Sequence, residues 1–133
     1  MELKEYNEID DYDTISQWAT SIGQTPPPAL ILPKGVLIVD KGKKVACAFV
    51  YEAVCTPLAV IEWIFFKPDI KPKQKIEALH RMVDFLEYIA VEDGHPCIMV
   101  GSAYSGIVKQ LKKRGFNTML TGATHLVKVI EGV

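Results

Sequence analysis

The sequence predicts an α/β fold, a mixed central β-sheet flanked by helices, and three observations carry that prediction. Two β-rich runs are joined by a glycine-containing link of hairpin length, which makes an antiparallel pair. A third, almost wholly apolar run leads into a long stretch whose apolar positions step by three and four, the period of an amphipathic helix. A short apolar run follows that helix, and a strand, helix, strand succession makes a right-handed crossover between parallel strands.

Length and composition bound the rest. The chain has 133 residues, 49% hydrophobic and 23% charged, enough to fill a core, and no composition shift marks a linker, so a single domain over 1–133 is expected. The formal net charge of −1 supplies no global field for nucleic acid, so any anion site must be local. No apolar run reaches the length of a membrane span and residues 1–5 lack a signal-peptide core, which points to a cytoplasmic address. Cys47, Cys55 and Cys97 are odd in number and lack ligand spacing, and all three are expected as buried thiols.

Residues 3–6 can form a short first strand. Asp10, Asp11 and Asp13 suit a helix start, Ile15, Trp18, Ala19 and Ile22 share a helical face, and Gly23 is a stop. Three successive prolines exclude helix and inner strand at 26–28, leaving an extended loop that leads to a short strand or lining segment at 29–32. Runs 36–39 and 44–51 form the hairpin, and run 58–66 is the expected centre of the sheet, covered on both faces. The long helix begins at Pro72, where a missing N–H costs nothing, and carries Ile76, Leu79, Val83, Leu86 and Ala90 as its stripe, widened by Met82, Phe85 and Ile89. Asp93-Gly94-His95-Pro96 ends it near Glu92, and 97–100 is the parallel strand. A third helix has Ile107, Val108 and Leu111 on one face, carries Lys112, Lys113 and Arg114 in its last turn, and closes at Gly115. Runs 117–120 and 125–130 read as a terminal hairpin. The order is therefore β-α-β-β-β-α-β-α-β-β.

One junction breaks the usual charge rule. A helix N-terminus carries partial positive charge and favours Asp or Glu, yet Lys71, Lys73 and Lys75 cluster there with Lys67 just upstream. The cluster is either a solvated face or a site where free backbone N–H groups and ammonium groups meet phosphate.

Three short stretches go further. Phe66-Lys67-Pro68 puts an apolar residue, any residue, then proline at the end of the apolar strand; 71–76 opens the long helix; and Leu111-Lys112-Lys113-Arg114-Gly115-Phe116 closes the third one. In their places along this order of elements they resemble the GNAT superfamily of N-acetyltransferases, over nearly the whole chain. Residues 71–76 stand where that family has its pyrophosphate loop, Arg/Gln-x-x-Gly-x-Gly/Ala, with Lys71 for Arg/Gln, Gln74 for the first glycine and Ile76 for the last small residue. The final stretch is similar to the family's Tyr-Glu-Lys-x-Gly-Phe, with Leu111 in place of the tyrosine that protonates the leaving thiolate and Tyr104 the available substitute.

The resemblance implies a GNAT-like acetyltransferase that takes an acyl group from acetyl-CoA, or another acyl-CoA, to an amine on a small molecule or protein. Backbone groups of Phe65 and Phe66 would pair with the pantetheine. Lys71, Lys73, Gln74, Lys75 and Ile76 would hold the pyrophosphate, through the N–H groups of 73–76. Glu62, the one acid in run 58–66, would be the base, and Tyr104 the acid. A carboxylate in a central strand must face a cleft or a partner, since burying it unpaired is costly; a glutamate paired with lysine is the structural alternative. The missing loop glycines and tyrosine equally fit a non-catalytic binding or regulatory module of the same fold. A nucleic-acid adaptor using the lysines is opposed by the net charge and the absence of base-stacking motifs. A homodimer through an exposed strand edge remains open.

Other residues read as structural. His80 reads as a half-exposed helix residue, His95 belongs to a Gly-His-Pro turn, and His125, which begins the last strand and could reach the cleft, has nothing nearby in sequence to complete a nucleophile, base and orienting group. Trp18 and Trp63 fall in apolar patterns, and no His, Cys or acid cluster has metal-ligand spacing. The loop at 25–28 is either a rigid connector or a wall of the acceptor cleft.

Overall fold

The computed structural model describes residues 1–102, 104–122, 126, 128 and 130. The chain groups into two compact units, Met1–Ser102 and Ala103–Val133. In the first, β1 (Glu2–Glu5), β2 (Lys34–Asp40), β3 (Lys43–Glu52), β4 (Leu58–Phe66) and β5 (Cys97–Val100) form one sheet in the order β1-β2-β3-β4-β5. All neighbours are antiparallel except β4 and β5, which are parallel. The sheet is therefore the mixed α/β sheet the sequence predicts, with α2 (Pro72–Glu92) as the crossover.

Within this unit each face takes one helix. Ile15, Trp18 and Ala19 of α1 (Glu8–Ser21) cluster with Leu37, Cys47, Phe49 and Phe65. The alternate positions Val36, Ile38, Ala46, Ala48 and Val50 are also buried, and α2 packs against β2, β3 and β4. Both faces being covered explains why β2 and β3 read as unbroken apolar runs. The β2–β3 turn has φ of 51° at Lys41 and 78° at Gly42, the primed geometry that matches strand twist.

Several expectations need correction. The α1 helix starts at Glu8 rather than among the aspartates, because the Asn7 side chain caps it by accepting from the Asp10 N–H at 3.2 Å. That frees Asp11 to turn inward: its carboxylate is fully buried, with Lys4 Nζ at 2.6 Å, Lys44 Nζ at 2.7 Å and the Asn7 N–H donating at 2.8 Å. Residues Ala29–Ile31 form a 3-10 turn, not a strand, since Pro28 and Pro33 on either side offer no ladder donor. Cys47 is buried, but Cys55 lies in the exposed β3–β4 connection and Cys97 opens β5 on its exposed side. On α2 the buried stripe is Ala78, Leu79, Met82, Val83, Leu86 and Ala90; Ile76, in the first turns ahead of that stripe, is 41% exposed.

In the second unit, α3 (Ser105–Lys113) buries Ile107 and Leu111. Gly115, at φ 98°, closes it as expected: its N–H donates to Lys112 and that of Phe116 to Leu111, the paired bonds of a left-handed cap. Of the expected terminal hairpin, 117–120 adopts no strand. Its second half is outside the described residues at His125, Val127 and Val129. Among the described residues no helix is long and apolar enough to cross a membrane.

Candidate functional site

The site forms where β4 and β5 stop pairing. The two strands run together from Leu58 and Cys97 to Ile61 and Val100, and Gly101 N–H donates the last bond to the Ile61 carbonyl at 3.2 Å. Beyond it, residues 62–66 of β4 pair only with β3 among the described residues. The register explains the divergence. Between Phe49↔Glu62 and Cys47↔Phe65, β4 has one more residue than β3, a bulge, and Trp63 within it takes φ 56°. A bulge bends the strand that carries it, so β4 turns from β5, and among the described residues no strand pairs with Phe65 and Phe66 on that side. A tryptophan in the left-handed region is strained, and the surroundings hold it there. Its indole N–H donates to the Tyr51 hydroxyl at 2.8 Å, and that hydroxyl donates to the Ile31 carbonyl at 2.8 Å.

Glu62 sits at the mouth of this gap. A Cβ built on Gly101 would lie 2.6 Å from its Oε1, so the carboxylate rests directly over the end of β5. Glu62 is partly buried and shares its end of the sheet with Tyr51. Burial, opposed by the Trp63 indole N–H and reinforced by the Glu62 charge, pushes the Tyr51 phenol above its ordinary value.

At the end of β4 the chain passes Lys67, ion-paired with Asp69 at 3.8 Å, and enters α2. The first turn of α2 contains no acid. Gln74 is not simply a filled glycine position: its Oε1 accepts from the Lys71 N–H at 3.0 Å and its Nε2 donates to Asp40 Oδ2 at 3.3 Å, so it caps the helix and ties it to the β2–β3 hairpin. The Lys75 N–H donates to the Lys71 carbonyl at 3.0 Å, and Pro72 has no N–H. The outward-facing donors of the mouth are therefore those of Lys73 and Gln74, fewer than the four sites expected over 73–76. Lys71 and Lys73 are exposed, Lys75 lies 6.0 Å from the Phe66 ring centroid, and none of the three makes an ion pair among the described residues. Ile76 points out rather than into the core.

The geometry thus brings Glu62, Phe65, Phe66 and the lysines of α2 to the carboxyl ends of β4 and β5, where parallel sheets take ligands. Tyr104 belongs to the second unit, at the N-cap of α3, and is 43% exposed. Sequence reading missed Trp63, Tyr51, Asp40 and Gly101. Only Gly101, a glycine directly after a strand, offered a signal. At the opposite end, Lys34 reaches Glu52 at 3.5 Å and Asp93 at 3.4 Å, and His95 bridges Glu52 and the Ala53 carbonyl, which fastens the end of α2 to the β3–β4 connection. Among the described residues no group of three or more His, Cys, Asp or Glu is placed to hold a metal ion.

No family model matches the sequence, and no curated protein matches it. The fold does have matches. A probable acetyltransferase superposes with a TM-score of 0.70 at 10% identity, covering 98% of this chain and 99% of that one. A predicted acetyltransferase from Clostridium acetobutylicum, solved with acetyl-CoA, gives 0.67 at 14% identity over 95% of both chains. A transcriptional regulator from Bacillus halodurans C-125 gives 0.69 at 11% identity, over 95% of this chain and 99% of that one. At such identities the likeness concerns the fold, which is that of the GNAT acetyltransferases.

Proposed function

We propose that this GNAT-fold chain binds acetyl-CoA, or another acyl-CoA, in the gap between β4 and β5 and transfers the acyl group to an amine. The observation that carries the reading is the bulge at Trp63: beyond it Phe65 and Phe66 have no strand partner on the β5 side among the described residues, where an extended pantetheine arm would pair, a few residues before a helix mouth rich in lysine. The donor set fits a pyrophosphate. Two outward N–H groups and the ammonium groups of Lys71, Lys73 and Lys75 face no acid in the first turn, although Gln74 already occupies the Lys71 N–H. Acyl-CoA would supply an activated thioester. The chain's own residues would hold and orient it, while Glu62 takes the proton that the amine must lose.

The exchange balances simply: an amide C–N bond forms, the thioester C–S bond breaks, and one proton passes from the amine to Glu62 while the thiolate takes another from solvent. The fold resemblance to a structure solved with acetyl-CoA supports the choice of donor.

A second reading, a regulatory module that binds without turnover, draws on Gln74, whose side chain occupies a donor at the mouth, and on the fold's likeness to a transcriptional regulator. One experiment separates the two. Calorimetric titration with acetyl-CoA and CoA should show binding, and turnover over an amine panel should be lost in Glu62→Gln. Binding without turnover in the native protein would favour the module, and no binding at millimolar ligand would reject both.

A further inference from the structure

Gly101 is the residue at which β5 leaves β4, and the atoms nearest above it belong to a carboxylate. A Cβ there would stand 2.6 Å from Glu62 Oε1 and 3.0 Å from both Cδ and Oε2, and these are its three nearest atoms. The Gly101 backbone lies outside the left-handed region, so it would accept an L side chain; the nearest obstacle is the carboxylate. Other glycines differ. A Cβ on Gly35 would strike the Phe49 ring in the core, and one on Gly106 would meet nothing within 4 Å.

We propose that Gly101 is a positioning residue: its bare Cα is the floor on which the Glu62 carboxylate lies across the mouth of the β4–β5 gap. The geometry stands by itself, and its catalytic consequence rests on the acyl-transfer reading. An added methyl cannot remain at 2.6 Å. The flexible end of Glu62 yields before either backbone does, because both strands are held by ladder bonds up to this point. To regain ordinary contact the carboxylate must retreat by close to an ångström, roughly the misplacement that costs a catalytic group about a hundredfold. Glycine at this position therefore fixes where a proton can be taken, without itself touching a substrate.

The test is Gly101→Ala, with Gly106→Ala as a control for the added methyl. The Glu62 side-chain carboxyl resonance, assigned by its loss in Glu62→Gln, is followed by carbon NMR against pH. A shifted resonance and a displaced titration midpoint in Gly101→Ala, absent in Gly106→Ala, are expected; an unchanged Glu62 signal overturns the inference. This readout needs no turnover, so it separates the inference from the acyl-transfer reading. With turnover in hand, kcat should fall ten- to a hundredfold and its pH profile move while the Kd for CoA stays within twofold; an unchanged kcat overturns the positioning role. Should Gly101→Ala fold poorly, a double-mutant cycle with Glu62→Ala decides. The loss of Tm should disappear when the carboxylate is absent, and an equal loss in both backgrounds overturns the inference.

Discussion

The indole N–H of Trp63 donates to the Tyr51 hydroxyl at 2.8 Å, across the β3–β4 pair, and this bond holds the bulge that opens the candidate site. The same hydroxyl donates to Ile31 in the turn after the proline loop, while Tyr12 fixes that loop from its other end through the Pro27 carbonyl at 2.7 Å. Tyr51→Phe leaves a partly buried indole N–H and the Ile31 carbonyl unpaired. It should cost about 1–3 kcal/mol in urea unfolding. An unchanged midpoint would show that the bulge needs no such anchor.

Charge at the α2 mouth should govern ligand affinity. Lys73→Glu places an acid against the outward N–H groups of Lys73 and Gln74, where an anion is expected to bind. Calorimetry should give at least a tenfold weaker Kd for CoA, and the native affinity should fall with added salt. Equal affinities in the two proteins would remove the lysines from the site.

Gln74→Ala tests the cap. Loss of its bond to the Lys71 N–H and of its tie to Asp40 should lower stability by about 0.5–1.5 kcal/mol, read from thermal melts. Hydrogen exchange should speed at the Lys71 amide while amides in the middle of α2 keep their protection.

Asp11 links folding to pH. Burial acts to raise its carboxyl, but the Lys4 and Lys44 ammonium groups and the Asn7 N–H outweigh it, and the net shift is downward from 3.8. A lowered folded value means the contribution is complete above the unfolded value and is lost as pH falls through the folded one. Asp11→Asn should therefore flatten the acid side of the stability curve below about pH 4, measured by urea unfolding from pH 2 to 7. Parallel curves for the two proteins would show that Asp11 is not a linked group.

Two alanine substitutions should have opposite signs. At Gly35 a Cβ would lie 2.4 Å from Phe49 Cδ1 in a fully buried ring, so Gly35→Ala should destabilise by about 1–3 kcal/mol. Gly106 lies inside α3 with open space around it, so Gly106→Ala should stabilise the helix by up to about 1 kcal/mol. Thermal melts of both variants check the pair.

Local patterns made most of the fold legible. Apolar runs located β4, α2 and β5 at the bounds observed, and Gly23, Gly94 and Gly115 marked the three helix ends, each with positive φ. These signals are read from neighbours in the chain. The charge anomaly at α2 likewise marked the candidate site, since Lys71, Lys73 and Lys75 lie within one helical turn. What escaped were pairings between distant residues: Asp11 with Lys4 and Lys44, Gln74 with Asp40, and the exposure of Ile76, Cys55 and Cys97.

The sequence by itself determined the kinds and order of the elements in the sheet-bearing part, because hydrophobic period and helix-stop chemistry act within a few residues. Only the tertiary structure decided that β4 bulges at Trp63, that Glu62 rests on Gly101, and that Gln74 serves as a cap. Each of those depends on what a strand or hairpin far along the chain places opposite, and a one-residue shift in register would have rewritten it.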